Sequence, residues 1–351
     1  SYVLGGRAME IVHNTQELKH YMHAAIKVSH DHPVLLDRYV TGRECEVDAI
    51  CDGDTVVIPG IMEHIERAGI HSGDSMAVYP PQTFSQSVKD QIESETIKLA
   101  HALKCYGLMN VQFVIHNEEA YVIEVNPRAS RTVPFLSKTT KIPMTQLATQ
   151  VIMGQRLVDL GYQNGLQPES KLVHVKSPIF SFSKLNDVDS LLGPEMKSTG
   201  EVMGTDTTFA KALYKAFEGS GLHLPAHGNI LMTVSDEEKP EAAKLAKQLS
   251  QLGFNLYATG GTANYLQDQG IFVEQKVSKL SDDACEITDL LANQTIQLVV
   301  NTIDDNSSSV NDGAKIRALA VSHGILVFTS LDTLTAVVTM LMSQAYEVTA
   351  I

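Results

Sequence analysis

Four polar side chains within one short stretch could hold a metal-bound polyphosphate: the carboxylate of Glu124, the amides of Gln112 and Asn126, and the guanidinium of Arg128. Hard cations such as Mg2+ take oxygen ligands and usually share their shell with water and substrate phosphate. These residues lie in Leu108-Met-Asn-Val-Gln-Phe-Val-Ile115 and Tyr121-Val-Ile-Glu-Val-Asn-Pro-Arg-Ala-Ser-Arg131, separated by the polar tract His116-Asn-Glu-Glu-Ala120. Two β-branched runs across a polar tract read as a hairpin. Side chains repeat every two residues along a strand, so Glu124 and Asn126 share a face, with Gln112 on the partner strand. The spacing alone fits polar side chains on a solvated strand face equally well.

Two further stretches carry potential chemistry. Gly60-Ile-Met-Glu-His-Ile-Glu-Arg-Ala-Gly-Ile-His-Ser-Gly-Asp-Ser75 sets ionisable groups beside glycines, which let backbone amides approach a phosphate or a base closely. His71 is suited to donate to a ribose or phosphate, and equally to be an ordinary loop histidine. Leu256-Tyr-Ala-Thr-Gly-Gly-Thr-Ala263 stands between a strand and a helix pattern, where backbone amides at a helix N-terminus can cradle phosphate. A tight turn explains the same glycines.

Several elements must position these groups. Thr15 to Val28 reads as a helix with Thr15 as its cap. Pro33–Val40 and Cys45–Cys51 read as strands, and Thr55–Met62 continues the sheet. Val88, Ile92, Leu99 and Leu103 recur at helical spacing over Ser87–Leu103. Pro143–Val158 has a helical pattern weakened at Gly154, Val173–Phe182 is extended, Ser198–Gly204 is a glycine-punctuated short strand, and Thr207–Glu218 is helical. Gly219–Ala226 reads as a linker. Beyond it, the apolar runs Ile230–Val234, Phe254–Ala258, Ile271–Val273, Ile296–Val300 and Ile325–Phe328 alternate with helical stretches such as Pro240–Leu252 and Asp312–His323. That alternation implies a parallel, doubly wound sheet. Pro240 suits the first helical position, and Ser235 with Glu238 offers a competing capping-box start.

The 351 residues are enough for two domains, and 44% are hydrophobic. The formal charge of −14 and the lack of a basic stripe speak against a nucleic-acid partner. Cys45, Cys51, Cys105 and Cys285 show no CxxC spacing, which predicts reduced thiols in a cytoplasmic protein. No apolar run reaches membrane-spanning length and no signal peptide opens the chain. The opening Ser1-Tyr2-Val3-Leu4-Gly5-Gly6 reads like the middle of a domain, so the expectation is a fragment of a longer polypeptide.

Together, Tyr2-Val-Leu-Gly-Gly-Arg-Ala-Met-Glu-Ile-Val12, Met62-Glu-His-Ile-Glu66, His71-Ser-Gly-Asp-Ser75, Leu108-Met-Asn-Val-Gln-Phe113, Ile123-Glu-Val-Asn-Pro-Arg-Ala129 and Leu192-Gly-Pro-Glu-Met196 resemble the large subunit of carbamoyl phosphate synthetase over essentially the whole chain. The resemblance points to its C-terminal third. It implies an α/β chain: an α+β ATP-grasp C-terminal lobe over residues 1–220, then a doubly wound methylglyoxal-synthase-like allosteric domain over 226–351. Biotin carboxylases and peptide ligases also use a Glu-x-Asn-x-Arg strand, but the Thr-Gly-Gly-Thr domain and the His-Ser-Gly-Asp-Ser loop argue against them. A non-catalytic effector-binding and assembly module is a further reading of the same segments.

What the resemblance implies can be placed on residues. Gln112, Glu124 and Asn126 match positions holding Mg2+ or Mn2+ between ATP phosphates, and K+ is a further cation of such sites. Arg128 and Arg131 match positions that contact the phosphate or the transferring group. Gly69, Ile70, His71 and Ser72 match a nucleotide-contacting loop, Glu44 the carboxylate on the ribose hydroxyls, and Arg38 and Val40 the strand beside adenine. Lys239, Thr259, Thr262, Lys276 and Asn301 match positions for a nucleotide effector of the UMP or IMP type, and Glu66 and Asp74 match acids used for ornithine. Thr233 and Ile303 depart from some relatives. The loop Asp304-Asp-Asn-Ser-Ser-Ser309 is acidic where others carry arginine, and Ser177 stands where a third acid is expected, so the effector's identity stays open. The implied reaction is phosphorylation of carbamate by ATP, serving pyrimidine and arginine biosynthesis. The implied partners are a glutaminase small subunit and the remaining N-terminal part of the large subunit, within an oligomeric full enzyme. Alone, the 351 residues are expected to bind ATP weakly and not to turn over.

Overall fold

The structure, a computed structural model, describes residues 12, 14–28, 34–182, 189–278, 286–302 and 307–343. The Tyr2–Val12 motif (save its last residue), Ile303 and Asp304–Asn306 lie outside the described residues, as does Cys285. In chain order the elements are α1 (Thr15–Val28), β1 (Arg43–Asp52), β2 (Val56–Ile58), β3 (Ile61–Arg67), β4 (Ala77–Tyr79), α2 (Gln86–Ala102), β5 (Tyr106–His116), β6 (Glu119–Asn126), α3 (Thr132–Thr140), α4 (Met144–Ile152), β7 (Gly165–Leu166), β8 (Val173–Ile179), β9 (Gly200–Asp206) and α5 (Phe209–Ser220). They continue with β10 (Gly228–Thr233), α6 (Lys239–Gln251), β11 (Phe254–Thr259), α7 (Gly260–Asp268), β12 (Gln275–Val277), α8 (Glu286–Ala292), β13 (Leu298–Asn301), α9 (Ser307–Ser322), β14 (Leu326–Phe328) and α10 (Leu331–Met342).

The chain divides into two compact units. Unit 1 takes in residues up to Ser75, Pro81–Pro168 and Leu192–Lys197; unit 2 takes in Met76–Pro80, Glu169–Leu191 and Ser198 onward. In unit 1 the strands run β6-β5-β1-β3, with β2 paired to β1 and to β7. The β1–β5 ladder is unbroken from Arg43↔Ile115 to Asp52↔Tyr106. One face of it is apolar: Cys45, Val47, Ala49 and Cys51 of β1 join Met109, Val111 and Phe113 of β5 against Val88 and Ile92 of α2. The alternate residues of β1, Glu44, Glu46 and Asp48, are acidic, and they too are buried. Burying both faces of one strand requires that the polar face be internally satisfied.

Several expectations shift by a turn or a register. Asn14, not Thr15, caps α1, its Oδ1 accepting from the amides of Gln16 and Glu17. Residues 34–42 form no strand, and Leu35 is 78% exposed, so an apolar run alone did not make a sheet partner. The buried stripe of α2 is Val88, Ile92, Thr96 and Ala100, while Leu103 is the exposed C-cap, its amide bonded to His101 and Leu99 carbonyls. α4 ends at Ile152, ahead of Gly154 with φ +94°, a conformation only glycine adopts cheaply. Strand β12 lies at Gln275–Val277, past the apolar Ile271–Val273. At the start of α6 the proline, not the capping box, marks the helix, for the Ser235 side chain caps no backbone amide. Ser235 Oγ donates to Glu238 across a 3-10 turn, Asp236–Glu238, and Pro240 then opens the α-helix.

Unit 2 carries the antiparallel ladder β4-β8-β9, with α5 packed on β8 and β9, and a five-stranded parallel sheet, β12-β11-β10-β13-β14, with helices between its strands. α5 is capped by Thr208, whose hydroxyl accepts from the Lys211 amide, and stopped by Gly221 in the left-handed region. Its close approach to β9 depends on Gly204, where a Cβ would lie 2.0 Å from the Ala212 carbonyl oxygen and 2.5 Å from the Ala216 nitrogen. Backbone atoms cannot swing aside, so Gly204→Ala should destabilise unit 2 by about 1–3 kcal/mol through overpacking. Urea denaturation checks this; an unchanged midpoint would mean that α5 shifts freely. Among the described residues no helix is long and apolar enough to cross a membrane. Cys45, Cys51 and Cys105 are free, buried thiols, as their spacing suggested.

Candidate nucleotide and effector sites

The hairpin forms as read, with Asn117 and Glu118 at its turn in the left-handed region at φ +51° and +65°, the pairing a two-residue turn needs. Gln112 pairs with Glu124 and Asn110 with Asn126, and a register shift between Gln112 and Phe113 absorbs an extra residue at Ile123. Cross-strand partners share a face, so the amides of Gln112 and Asn126 and the Glu124 carboxylate converge on one side of the sheet. Asn126 Nδ2 donates to Glu124 Oε1 at 2.8 Å, and Gln112 Nε2 donates to Ser72 Oγ at 3.3 Å. Both amide nitrogens are thereby engaged, and both amide oxygens are left as acceptors.

The Ser72 contact brings the Gly69–Ser75 loop to this face. Gly69 donates its amide to Glu44 Oε1 at 3.1 Å, and His71 Nδ1 accepts from the Gly73 amide at 3.0 Å. His71 is therefore turned toward its own loop. Tyr39 Oη donates to the Ala68 carbonyl at 2.8 Å, holding the segment with Arg38 and Val40 beside the same loop. Arg38 and Arg128 are exposed, Val40 is half-buried, and Arg131 is the exposed residue that opens α3. Ile70 is half-buried within the loop. Glu66 and Asp74 are almost fully buried in unit 1, and Asp74 Oδ2 accepts the Lys197 amide at 2.7 Å.

On the same face, one strand over on β1, lies a set of acids that the motif reading missed. Glu46 accepts from Asn110 Nδ2 at 3.2 Å and from Thr132 Oγ1, and Asp48 Oδ2 accepts from Ser130 Oγ at 2.6 Å. His64 on β3 sits between two carboxylates, Nδ1 at 3.4 Å from Glu44 and Nε2 at 3.8 Å from Glu46. At those lengths the links are ion pairs more than hydrogen bonds. Burial works against a charged imidazole, but the Glu44 and Glu46 carboxylates outweigh it and raise His64 to about 9. Burial, and then the Glu46 charge, push Asp48 up to about 7, against hydrogen bonds from Ser130 and Asn110. The available signal was the strict alternation Glu44-x-Glu46-x-Asp48 facing Met62-x-His64-x-Glu66.

Among the described residues no group of three or more His, Cys, Asp or Glu side chains is poised to hold a metal ion. One carboxylate with flanking amide oxygens is instead the incomplete donor set that Mg2+ accepts when phosphate oxygens and water fill the remaining positions. The Gln112, Glu124 and Asn126 arrangement fits a metal carried in with a polyphosphate, not a standing metal centre.

The second constellation gathers at the carboxyl ends of the parallel strands. Thr233 of β10 pairs with Asn301 of β13, next to the point where the strand order turns back, where ligands of open α/β sheets bind. Thr259 ends β11 and is the N-cap residue of α7, and Thr262 Oγ1 accepts from the Val234 amide at 3.2 Å. Lys239 Nζ would be 3.2 Å from a Cβ on Gly261, and Lys276 Cε 3.5 Å from one on Gly260. Both ammonium groups therefore flank the first turn of α7. Lys239 pairs with Asp236, and Lys276 donates to Asn264 at 2.9 Å. Arg317 of α9 donates to Asn301 Oδ1 and was not picked out from the sequence.

A family model described as the carbamoyl-phosphate synthase L chain ATP binding domain matches residues 1–160, and one for the MGS-like domain matches residues 241–329. Three solved structures are similar over part of the chain. One is the biotin carboxylase domain of the Hydrogenobacter thermophilus 2-oxoglutarate carboxylase, in complex with MgADP, ADP and bicarbonate. It is 16% identical, over 61% of this chain and 54% of that one, with TM-score 0.48. The biotin carboxylase domain of a single-chain bacterial carboxylase is 14% identical, over 70% and 61%, with TM-score 0.40. A Campylobacter jejuni biotin carboxylase, in a complex with β,γ-ATP, is 18% identical, over 50% and 40%, with TM-score 0.42. The chain spans 40% to 61% of the length of these structures. An ATP-binding domain followed by an MGS-like domain, in this order, matches the C-terminal part of a carbamoyl-phosphate synthase large chain.

Proposed function

We propose that unit 1 supplies the metal- and phosphate-holding half of a site that phosphorylates carbamate with ATP, and that the MGS-like domain binds a nucleotide effector. The observation that carries this is the single-faced set of Gln112, Glu124 and Asn126, with the Gly69–Ser75 loop tied to it through Ser72. Mg2+ or Mn2+ bound there with ATP would neutralise charge on the transferring phosphoryl group, with K+ as an auxiliary cation. Phosphoryl transfer asks mainly for positioning and charge neutralisation. Glu44 is held ready for the ribose hydroxyls by the Gly69 amide and His64. Arg128 and Arg131, exposed at the end of the hairpin, offer guanidinium forks suited to phosphate. Glutamine hydrolysis would fall to a separate glutaminase subunit, and the product would feed pyrimidine and arginine synthesis in the cytoplasm.

The decisive experiment is ATP formation from ADP and carbamoyl phosphate by the full-length protein containing this chain. Biotin-dependent ATP consumption with no such exchange would exclude carbamate as the substrate. For the effector half, UMP or IMP is expected to slow amide exchange over Thr259–Ala263, where Lys239 and Lys276 flank the glycine turn. Unchanged exchange at saturating UMP and IMP would count against a nucleotide there.

A further inference from the structure

Arg128 and Arg131 are exposed on the short loop between β6 and α3, yet the residues beside them are anchored in the interior of unit 1. Ser130 Oγ donates to Asp48 Oδ2 at 2.6 Å, and Thr132 Oγ1 donates to Glu46. Ser130 Oγ also accepts the Thr132 amide at 3.0 Å, so one hydroxyl serves as donor and acceptor and its rotation is fixed. The Arg128 amide donates to the Asn126 carbonyl at 2.8 Å, which closes the other end of the loop onto β6. Two acids spaced two residues apart on β1 thus meet two hydroxyl residues spaced two apart on the loop. Arg131 stands between those hydroxyl residues and is itself exposed.

As structure alone these ties are expensive. Glu46, Asp48 and Thr132 are buried, as is Asn110, which donates to Glu46 at 3.2 Å. Neighbouring carboxylates in an interior lose hydration and repel each other, and well-packed apolar residues in such places are often as stabilising or more so. The opposite face of the same strand takes that course, with Cys45, Val47 and Ala49 in the apolar core. Satisfying the start of α3 does not call for the acids either, because Ser130 Oγ meets the Thr132 amide without them. What Asp48 and Glu46 add is a fixed backbone from residue 130 to 132. Groups that neutralise charge on a transferring phosphoryl group must be held to within about 0.5 Å.

We infer that Asp48 is a positioning residue for phosphoryl transfer: through Ser130, and with Glu46 acting through Thr132, it fixes the loop that presents Arg128 and Arg131. This rests on reading unit 1 as the phosphoryl-transfer half-site. In this role neither acid touches substrate. A loosened loop leaves the contacts of Glu44 and the Gly69–Ser75 loop with the nucleotide in place and slows the transfer itself.

The test is ATP formation from ADP and carbamoyl phosphate by the full-length protein containing this chain. It compares wild type with Ser130→Ala, Thr132→Val, Asp48→Asn and the double variant carrying Asp48→Asn and Ser130→Ala. Ser130→Ala and Thr132→Val each cut one tie and should lower kcat about tenfold, with KM for ADP unchanged. Asp48→Asn keeps the shape and an acceptor oxygen, and should lose less. The double variant should be no slower than Ser130→Ala alone, because one tie cannot be cut twice. Variants that lose thermal stability but keep the wild-type kcat would make the acids merely structural and overturn the inference, while the phosphoryl-transfer reading stands. Losses that multiply in the double variant would overturn it too, since Asp48 would then act other than through Ser130. Should Asp48→Asn fail to fold, Thr132→Val decides by its kcat, for its buried hydroxyl is bonded to Glu46. If the wild type forms no ATP, the reading of unit 1 falls and the inference falls with it.

Discussion

Changing Glu124 to glutamine is expected to lower the chain's affinity for Mn2+·ATP by on the order of a hundredfold. Glu124 brings the one carboxylate to a set whose other members, Gln112 and Asn126, are neutral, so the substitution removes the set's whole negative charge at the metal. It is isosteric, and Glu124 is exposed on β6, so the thermal midpoint should stay where it is. The loss of affinity with intact folding separates a ligand from a structural residue. Electron paramagnetic resonance of Mn2+ in the presence of ATP reads the bound fraction directly, even from a weak starting affinity. Equal Mn2+ retention by wild type and variant would remove Glu124 from the metal site and leave the hairpin as a solvated polar face.

Sequence patterns gave different amounts for different parts of these sites, for physical reasons. The hairpin was legible because period-two alternation and a polar two-residue turn are local rules, and Gln112, Glu124 and Asn126 needed only the register to meet. Pro240 was legible because a proline's fit to the first turn of a helix is a local rule too. The strand expected at Pro33–Val40 did not form over its described residues, 34–40, because an apolar run does not say what covers it: Tyr39 bonds to the Ala68 carbonyl, and the segment lies in no ladder. The acid layer of Glu46, Asp48 and His64 was visible as alternation, but its burial depends on Ser130 and Thr132, more than eighty residues away in sequence. Arg317 carried no local signal at all. A lone arginine in a helix reads as a solvated charge until Gly313 and Asn301 are seen beside its guanidinium, and Asp189, which accepts from its Nε, comes from 128 residues earlier.

The buried His64 predicts a pH dependence that tests how Glu44 is held. In the unfolded chain its imidazole titrates at 6.5, and in the folded protein at about 9. A raised folded value means that the stabilisation is fully present below about pH 6.5 and is lost as pH climbs through about 9. The span corresponds to on the order of 3 kcal/mol. Asp48, raised from 3.8 to about 7, loses stability with the same sign but at lower pH, so between pH 7 and 8.5 His64 acts nearly alone. Cys51, pushed up to about 12, and Cys45, raised well above its usual value, cost stability only once the unfolded thiols ionise near pH 9. Urea denaturation should therefore show stability falling steadily from pH 7 to 8.5. His64→Gln should flatten that slope and lower stability by about 3–5 kcal/mol at pH 7, because Glu44 and Glu46 are left buried without a countercharge. A wild-type profile that is flat from pH 7 to 8.5 would show that His64 is neutral. Because the same imidazolium orients Glu44, which also accepts the Gly69 amide, nucleotide affinity should decline over the same interval in wild type. A decline in stability without one in affinity would detach the ribose contact from Glu44.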